Sequence, residues 1–435
     1  MMSRVQVWGS VAGCCMLAGC MIGRTPSKAT LKQAIQPYID ADEVAGAVAC
    51  VVDGERVRQT VAFGFADREA ERPMRTDTLF WIASMTKPVT ACAVMMLLDE
   101  GKLELDAPVS TYLPEFSGLK TADGRSAVPT LRQMLTHTSG MAEATQAEQL
   151  ASRTLAELMP HIAAKPALFT PGTRWQYSQS GMNALGRVVE VLSGMPFERF
   201  LAERLFKPLG MQDTTFYPDA NQRARLAVSY KRNGDRLERA ALPPVYDCAR
   251  GDARFPAPNG GLYSTAPDYA RFCQMLLNRG IFRGRRILSM TSVTAMSTIQ
   301  SGDLKTGFTP GCAWGLGCGM VREPQGVTAV LGPNGAGKTT TVETCEGYRR
   351  PDSGTVRVLG LDPVTQSARL RPRLGVMLQS GGVYSGARAD EMLRHVAKLH
   401  AHPLDVNALM ERLRLGSCGR TSYRRLSGGQ QQRLA

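Results

Sequence analysis

The feature that most constrains this chain is a glycine-rich loop, Gly332–Thr340, which begins about three quarters of the way along its 435 residues. Its sequence, GPNGAGKTT, has the GxxxxGK[ST] spacing of a phosphate-binding loop. An apolar run ending at Leu331 precedes it, and a helix-compatible run, Thr340–Tyr348, follows it. This strand, loop and helix order predicts that the last quarter of the chain folds as an α/β nucleotide-binding unit.

Each part of such a loop has a defined role toward a nucleotide. Successive backbone N–H groups surround the phosphates, a lysine reaches the β and γ oxygens, and a hydroxyl holds Mg²⁺. Lys338 and Thr339 occupy the lysine and hydroxyl positions. The other candidate phosphate-binding residues are Gly332, Pro333, Asn334, Gly335, Ala336, Gly337 and Thr340. ATP with Mg²⁺ is therefore the predicted cofactor of this unit.

Three further segments accompany the loop: Tyr348–Val358, Val376–Gln379 and Leu426–Arg433. Together with the loop they resemble the ATPase subunit of ABC transporters, particularly bacterial drug exporters, over 326–435. The resemblance implies that Gln379, like Thr339, contacts Mg²⁺ beside the γ-phosphate. It also implies that four signature residues close over ATP bound by a dimer partner: Ser427, Gly428, Gly429 and Gln430. The family's first strands and its Walker B carboxylates are not found, so ATPase activity is expected to be negligible.

A different chemistry precedes the loop. Ser84 and Lys87 lie three residues apart at the start of an apolar run, Val89–Leu98, which predicts a buried helix. Residues three apart share one face of a helix, so an amine at 87 is placed to help remove the proton of a hydroxyl at 84. The tetrapeptide alone is common, and its meaning depends on its context.

That context consists of Ser84–Lys87 and three downstream segments: Leu135–Gly140, Pro171–Gly181 and Gly260–Phe272. In order and spacing they resemble the serine β-lactamase and penicillin-binding-protein superfamily, nearest its class C, esterase-like branch, over about 29–322. The resemblance implies that Ser84 is the acylated nucleophile, Lys87 the amine beside it and Tyr177 a phenol that shuttles protons. Gln179 takes the substrate-binding place of the family's asparagine and is one methylene longer.

The third motif of this superfamily reads Lys-Thr-Gly or His-x-Gly and follows a strand that resembles Trp314–Gly317. Lys305–Gly307 spells the motif but precedes that strand, inside a Gly/Pro-rich loop. We therefore expect the true third motif and the strands after it to be missing. Loss of its backbone oxyanion donor is expected to cost roughly 10² to 10³ in rate.

Local patterns predict several elements of this first part. The apolar run Gly46–Gly54 and the return strand Val57–Phe65 predict a β-hairpin. Thr265–Asp268 has the cap, early proline and acid of a helix start. His137 is interpreted as a packing and turn residue, with catalysis as the weaker alternative.

The first residues resemble a bacterial lipoprotein signal. Arg4 precedes a moderately apolar stretch, and the box Leu17–Cys20 follows it. In that family the cysteine is acylated, so Cys20 is the predicted lipidation site and the chain would be anchored to a membrane if the signal is used. An irregular N-terminal tail or a misassigned start codon is the alternative.

Composition excludes several classes of protein. A hydrophobic share of 43% and a charged share of 21% are those of a globular protein, and no apolar run beyond the N-terminus approaches a membrane span. The net charge is +14, but the arginines of 326–435 are interleaved with acids, so no nucleic-acid partner is predicted. The eleven cysteines lack metal-ligand spacing, and we predict free thiols and no structural metal.

The predicted fold class is an α+β β-lactamase-like hydrolase, an antiparallel sheet plus a helical region without its C-terminal strands, followed by a partial α/β P-loop nucleotide-binding domain. The predicted domains are 1–20 (signal), 21–325 (serine hydrolase) and 326–435 (ABC ATPase fragment, Walker A to signature motif). The hydrolase half indicates a lipid-anchored periplasmic or extracellular protein, whereas the ATP-binding half indicates the cytoplasm, and the sequence leaves that conflict open.

Three functions remain open at this point. The first is a serine hydrolase that acts without a cofactor on a β-lactam, amide or ester and is fused to a truncated ATP-binding module, with turnover of both impaired. The second is the ATP-binding fragment of a drug exporter, which would need a dimer partner. The third is a chimaeric product with neither activity.

Overall fold

The computed structural model describes residues 28–234, 236–251, 253–307 and 311–321, and farther along residues 349–350, 356, 358, 361–370, 388–398, 405–413, 415–418, 421–422 and 425–426. The loop Gly332–Thr340, Gln379, the signature residues Ser427–Gln430 and Cys20 lie outside the described residues. The predictions made for them therefore stay predictions. The described residues fall into two compact units, the first over 28–321 and the second over 349–426.

The α-helices that the structure describes in the first unit are α1 (Lys28–Asp40), α2 (Thr86–Asp99), α3 (Leu131–Leu135), α4 (Gln146–Ala151), α5 (Leu155–Ala163), α6 (Ser180–Ser193), α7 (Phe197–Leu201), α8 (Lys207–Leu209), α9 (Ala220–Ala224), α10 (Ala266–Leu277) and α11 (Met290–Met296). A π-helical turn, Ala202–Phe206, joins α7 to α8. Short 3₁₀ helices span Ala83–Met85, Val109–Thr111, Pro114–Phe116 and Cys248–Arg250.

The strands are β1 (Gly46–Val52), β2 (Val57–Asp67), β3 (Arg72–Pro73), β4 (Phe80–Trp81), β5 (Tyr230–Asn233), β6 (Arg236–Arg239), β7 (Tyr263–Ser264), β8 (Ile281–Phe282), β9 (Arg285–Arg286), β10 (Cys312–Trp314) and β11 (Gly319–Val321). β1, β2 and β3 form an antiparallel sheet in that order, and the other strands pair as β4–β7, β5–β6, β8–β9 and β10–β11. The predicted hairpin is confirmed, with Gly46 opposite Gly64 and Val52 opposite Val57.

Helix α2 is the centre of the first unit. Its residues from Thr86 to Leu97 are all buried, so the helix is enclosed on every side, and this confirms the predicted buried helix. Pro88 lies in the first turn, where a missing N–H costs no intrahelical hydrogen bond. Just beyond the C-terminal end Gly101 adopts a positive φ of 68°, a conformation that glycine tolerates best.

The helical region packs around α2 and α6, which contact each other directly, while α3, α5 and α7 contact α6. α10 covers β1 on the sheet side of the unit. The predicted start of α10 is confirmed, because the Thr265 side chain accepts a hydrogen bond from the Asp268 N–H. One hydrophobic core that includes Leu97, Phe200 and Phe272 therefore joins the sheet side and the helical side.

In the second unit the described helices are α12 (Ser367–Leu370), α13 (Ala389–Ala397) and α14 (Val406–Arg412). The Asp405 side chain caps α14 by accepting from the Ala408 N–H at 2.7 Å. α13 and α14 contact each other, and a small apolar cluster that includes Ala389, Met410 and Leu415 lies between them.

Two further properties apply to the described part of the chain. Within it, no helix combines the length and the apolar character that crossing a bilayer requires. Its seven cysteines are free thiols, and its histidine, cysteine and acidic side chains form no group of three or more suited to a metal ion.

A close approach between α6 and the segment before β7 needs a glycine at position 186. A Cβ atom built there would lie 2.2 Å from Cγ of Pro258, far inside van der Waals contact, and the proline ring has little freedom to move. The approach matters because the residue after Pro258 contacts the site described below.

We expect Gly186→Ala to lower the free energy of unfolding by about 1–3 kcal/mol, since the added methyl overpacks the contact. Gly181→Ala, in the same helix, is the matched control, because its Cβ would meet nothing nearer than 3.4 Å and alanine favours a helix by about 1 kcal/mol. Urea unfolding midpoints measure both. Equal stability of the two variants would show that the contact does not constrain position 186.

Candidate active site

Ser84 lies between strand β4 and helix α2, in the 3₁₀ turn Ala83–Met85. The preceding residue, Ala83, has a φ of +46°, which costs a non-glycine residue about 1–2 kcal/mol. The hydroxyl of Thr86 donates to the Ala83 carbonyl at 2.7 Å and holds the turn. Ser84 is exposed, so its hydroxyl is open to a substrate.

Lys87 is buried one helical turn after the serine, with only 1% of its surface exposed. Its Nζ lies 3.1 Å from Ser84 Oγ. The same nitrogen donates to Gln179 Oε1 at 2.9 Å and to the Asn259 carbonyl at 2.6 Å. The spacing predicted from the sequence therefore does bring amine and hydroxyl together.

Burial lowers the pKa of Lys87 to about 7, against the opposing influence of the Glu143 carboxylate. A neutral amine has two N–H groups and one lone pair. Gln179 and Asn259 are acceptors for the two N–H groups, which leaves the lone pair directed at the Ser84 hydroxyl. In this geometry a neutral Lys87 can take the proton of Ser84.

Tyr177 is half-buried, and its side chain hydrogen-bonds to Ser84. Lys87 Nζ lies 4.6 Å from the centre of its ring. Burial raises the pKa of Tyr177 to about 12, although the bond to Ser84 lowers it. Near neutral pH the group is therefore a phenol, suited to donate a proton rather than to remove one.

The amide of Gln179 is brought to Lys87 by the first turn of α6. Glu143 accepts hydrogen bonds at 2.8 Å from the backbone N–H groups of Gln179 and Ser180. A carboxylate at this position satisfies N–H groups that the helix leaves unpaired and interacts favourably with the positive end of the helix dipole. The backbone of Gln179 is thus fixed independently of its side chain.

The segment Pro258–Gly261 runs alongside the start of α2. The Thr90 hydroxyl donates to the Pro258 carbonyl at 2.7 Å, and Trp81 Nε1 donates to the Gly260 carbonyl at 2.6 Å. These two bonds lie on either side of Asn259, whose carbonyl accepts from Lys87. A hydrogen bond therefore fixes the backbone on each side of Asn259.

His137 is buried and has a φ of +60°, as expected for the turn residue predicted from the sequence. Its Nδ1 accepts from the Ser178 N–H at 3.1 Å. Burial lowers the pKa of the imidazole to about 3, so the ring is neutral. Its ring packs 4.5 Å from that of Tyr177 and 4.9 Å from that of Trp314. The His137 ring therefore helps to fix the position of the Tyr177 ring by packing against it.

The Lys305–Gly307 triplet lies in a loop before β10, and Lys305 is exposed. Gly307 lies near the ring of Trp175, and no described contact joins the triplet to Ser84 or Lys87. The turn that follows β10 instead reaches α2, where a Cβ at Gly317 would lie 2.5 Å from that of Ala91. Residues 322–348, which follow β11, lie outside the described residues.

The structure thus places Ser84, Lys87, Tyr177 and Gln179 in one hydrogen-bonded group, and their catalytic and binding roles remain predictions. Sequence reasoning missed three neighbours of that group: Glu143, Tyr246 and Asn259. The Gly260–Gly261 pair was a usable signal for Asn259, because adjacent glycines often mark a close backbone approach. No local pattern marks Glu143 or Tyr246.

The sequence of residues 31–398 matches the beta-lactamase family, whose description is "Beta-lactamase". The chain belongs to this family. The matched range includes the glycine-rich loop at 332–340 as well as the site described above. A β-lactamase-like α+β fold, the first part of the predicted fold class, is accordingly confirmed, whereas the missing C-terminal strands and the partial P-loop domain stay predictions.

Two relatives and one solved structure illustrate which proteins this chain is similar to. Protein Rv1367c of Mycobacterium tuberculosis (strain ATCC 25618 / H37Rv) is 35% identical over 331 residues, which are 70% of this chain and 81% of that protein. Esterase EstB of Burkholderia gladioli is 36% identical over 257 residues, 52% of this chain and 64% of the esterase. The structure of EstCE1, a hydrolase with promiscuous acyltransferase activity, superposes with a TM-score of 0.60 at 26% identity and covers 68% of this chain and 84% of its own.

The lowered pKa of Lys87 makes stability depend on pH. Between about pH 7 and the ordinary lysine pKa of 10.5 the unfolded chain binds the Lys87 proton and the folded chain does not. Because the unfolded state binds more protons, this group's contribution to stability rises with pH, by about 1.4 kcal/mol per pH unit. The destabilisation caused by burying Lys87 is fully present below about pH 7 and is absent above the pKa of this lysine in the unfolded chain.

We therefore expect Lys87→Met to remove about 2 kcal/mol of the rise in unfolding free energy between pH 7.5 and 9. Urea unfolding at both pH values measures the difference. Lys102→Met is the control, because that lysine is exposed. Parallel pH dependences in wild type and Lys87→Met would contradict a neutral buried amine.

Proposed function

We propose that the chain is a serine acyl hydrolase that forms an acyl-enzyme at Ser84 with a small ester, amide or β-lactam. The observation that carries the proposal is an exposed serine hydroxyl 3.1 Å from a buried lysine amine whose pKa is about 7. A serine is a weak nucleophile until a neighbouring base removes its proton. Lys87 meets both the distance and the protonation requirement of such a base.

In the first step Ser84 Oγ forms a bond to the substrate carbonyl carbon, and its proton passes to Lys87 Nζ. The tetrahedral intermediate collapses when the bond to the leaving alcohol or amine breaks. The leaving group takes a proton from the Tyr177 hydroxyl, which is restored by the proton held on Lys87. Tyr177 is suited to this role because it is a neutral phenol hydrogen-bonded to Ser84.

In the second step water attacks the acyl carbon and loses a proton to Lys87 Nζ. When the tetrahedral intermediate collapses, the bond between Ser84 Oγ and the acyl carbon breaks, Oγ takes that proton back, and the acid is released. This step needs stabilisation of a second oxyanion. The sequence predicts that the third motif is missing, and no described contact joins the Lys305–Gly307 loop to Ser84, so we propose that the second backbone donor is lacking. Deacylation is therefore proposed to be slow, by roughly 10² to 10³ where one donor is lacking.

A small activated ester is the proposed preferred substrate. Esters need less oxyanion stabilisation than amides because an alkoxide or phenoxide is the better leaving group. The names of two similar proteins support an ester substrate, since one is named an esterase and the other a hydrolase with promiscuous acyltransferase activity. A β-lactam is the second substrate class of the proposal, because ring strain also activates its carbonyl.

We expect a fluorescent fluorophosphonate to label the whole chain at Ser84, with a labelling rate that rises as pH increases through about 7. Gel fluorescence and peptide mapping measure the rate and the position. Ser84→Ala should abolish labelling, and Lys87→Met should slow it by about 10² or more. Ser117→Ala, an exposed serine outside the site, is the control. Label that persists in Ser84→Ala would refute the assignment.

We also propose that the C-terminal part binds ATP with Mg²⁺ through Gly332–Thr340. The support is the complete loop spacing, followed by the segments that carry Gln379 and Ser427–Gln430. Drug-exporter ATPase subunits, which those segments resemble, act as pairs, so a dimer partner belongs to this proposal.

On this second proposal, millimolar Mg-ATP should raise a thermal unfolding midpoint of the whole chain by several degrees, since a ligand that binds only the folded state stabilises it. Differential scanning fluorimetry measures the shift. Lys338→Ala should abolish it, whereas Lys398→Ala, which changes an exposed lysine of the same part, should not. A shift of equal size in the Lys338 variant would reject binding by the loop.

A further inference from the structure

We propose that Asn259 and Tyr246 are positioning residues that hold the Gln179 amide with Oε1 toward Lys87 and Nε2 free. Gln179 takes the substrate-binding place that the family resemblance implies, and this orientation lets Nε2 donate there to an amide carbonyl of the substrate's acyl part. The inference rests on the proposed acyl transfer at Ser84 and adds a specificity to it. It concerns two residues that no sequence motif singled out.

The direction of the Gln179 amide follows from the lysine. Lys87 Nζ donates to Gln179 Oε1 at 2.9 Å, so the amide turns its oxygen toward the lysine. Asn259 Nδ2 donates to the same oxygen, also at 2.9 Å. Two donors converge on Oε1, and the Nε2 group has no hydrogen-bond partner among the described residues. It is the end of the amide left for a ligand.

The Asn259 side chain is itself held in one direction. Its Nδ2 donates one hydrogen to Gln179 and the other to the Tyr246 hydroxyl at 2.6 Å, which uses both of its N–H groups. The Tyr246 ring stacks on Trp81 with ring centres 5.2 Å apart and an angle of 27°. Asn259 is 1% exposed, so its side chain cannot exchange these partners for bulk water.

These contacts explain how a glutamine can take the place of the family's asparagine at position 179. Compared with asparagine, glutamine has one more methylene and one more torsion angle. Without neighbours that fix its amide, Gln179 would present either the oxygen or the nitrogen to a substrate. The backbone is fixed by Glu143, and the amide is fixed by Lys87 and Asn259. A hydrogen bond to a substrate discriminates strongly when the enzyme's polar group has no alternative partner.

The test compares two substrates. Nitrocefin carries an acylamino side chain next to its β-lactam, whereas p-nitrophenyl butyrate has no amide in its acyl part. Asn259→Leu should lower kcat/KM for nitrocefin about 10-fold or more beyond any loss it causes for p-nitrophenyl butyrate, with the additional loss largely in KM. Where turnover is slow, the rate of Ser84 acylation replaces kcat/KM. An equal loss for both substrates would refute the positioning role.

A double-mutant cycle assigns the effect to Gln179. In Gln179→Ala, the further change Asn259→Leu should leave the nitrocefin to butyrate ratio unaltered, because the group being positioned is gone. Tyr246→Phe should give a smaller loss of the same selectivity. Tyr112→Phe is its control, since that phenol also accepts one N–H, from Glu104, away from the site. If the losses of selectivity in Gln179→Ala and Asn259→Leu were additive, Asn259 would not act by positioning Gln179.

The orientation is also measurable without turnover. In protein labelled with [¹⁵N]glutamine, the Gln179 side-chain signal is identified by its loss in Gln179→Ala. Asn259→Asp replaces a donor by an acceptor, so Nε2 should turn to the new carboxylate and exchange its hydrogens with water at least several-fold more slowly. Unchanged exchange would refute the positioning even in a protein that hydrolyses both substrates. A chain that shows this change but fails to acylate Ser84 would refute only the proposed function.

Discussion

The burial of one amine determines the arrangement of the whole site. Lys87 is removed from water at the start of a helix that is enclosed on every side, and its nitrogen contacts three other elements of the chain. Burying a charged ammonium in this way is costly, and the pKa falls until the neutral form is accessible near neutral pH. The packing that surrounds α2 therefore sets the protonation state on which the proposed chemistry depends.

The acceptors around that amine come from separate parts of the sequence. Gln179 is delivered by the first turn of α6 under the control of Glu143, and the Asn259 carbonyl by a segment held through Pro258 and Gly260. Each acceptor is fixed by bonds that do not involve Lys87. The site is consequently preorganised, and the proposed transfer of the serine proton would need little rearrangement.

The sequence could predict those parts of the fold and site that depend on local spacing. The serine and lysine share a helix turn, the hairpin and the α10 cap follow from neighbouring residues, and the superfamily resemblance led to Tyr177 and Gln179. Glu143, Tyr246 and Asn259 could not be found in this way, because their contacts join residues 13 to 172 positions apart. Long-range hydrogen bonds leave no periodic or spaced pattern, and only the folded chain shows them. The nucleotide loop has a strong pattern, but it lies outside the described residues.

The site also separates two demands of acyl transfer that depend on different parts of the chain. The proposed proton transfer uses Ser84, Lys87 and Tyr177, and the described contacts cited for them lie between Trp81 and Trp314. Stabilisation of the oxyanion depends in this superfamily on a strand after Trp314, in the stretch where the sequence turns to the glycine-rich loop. The predicted loss of the third motif there would leave the base and its pKa intact and would weaken the stabilisation of the tetrahedral intermediates. Acylation by an activated ester is less sensitive to that loss than deacylation by water, because the ester carries a better leaving group. On the proposed mechanism, such a protein would capture acyl groups more readily than it releases them.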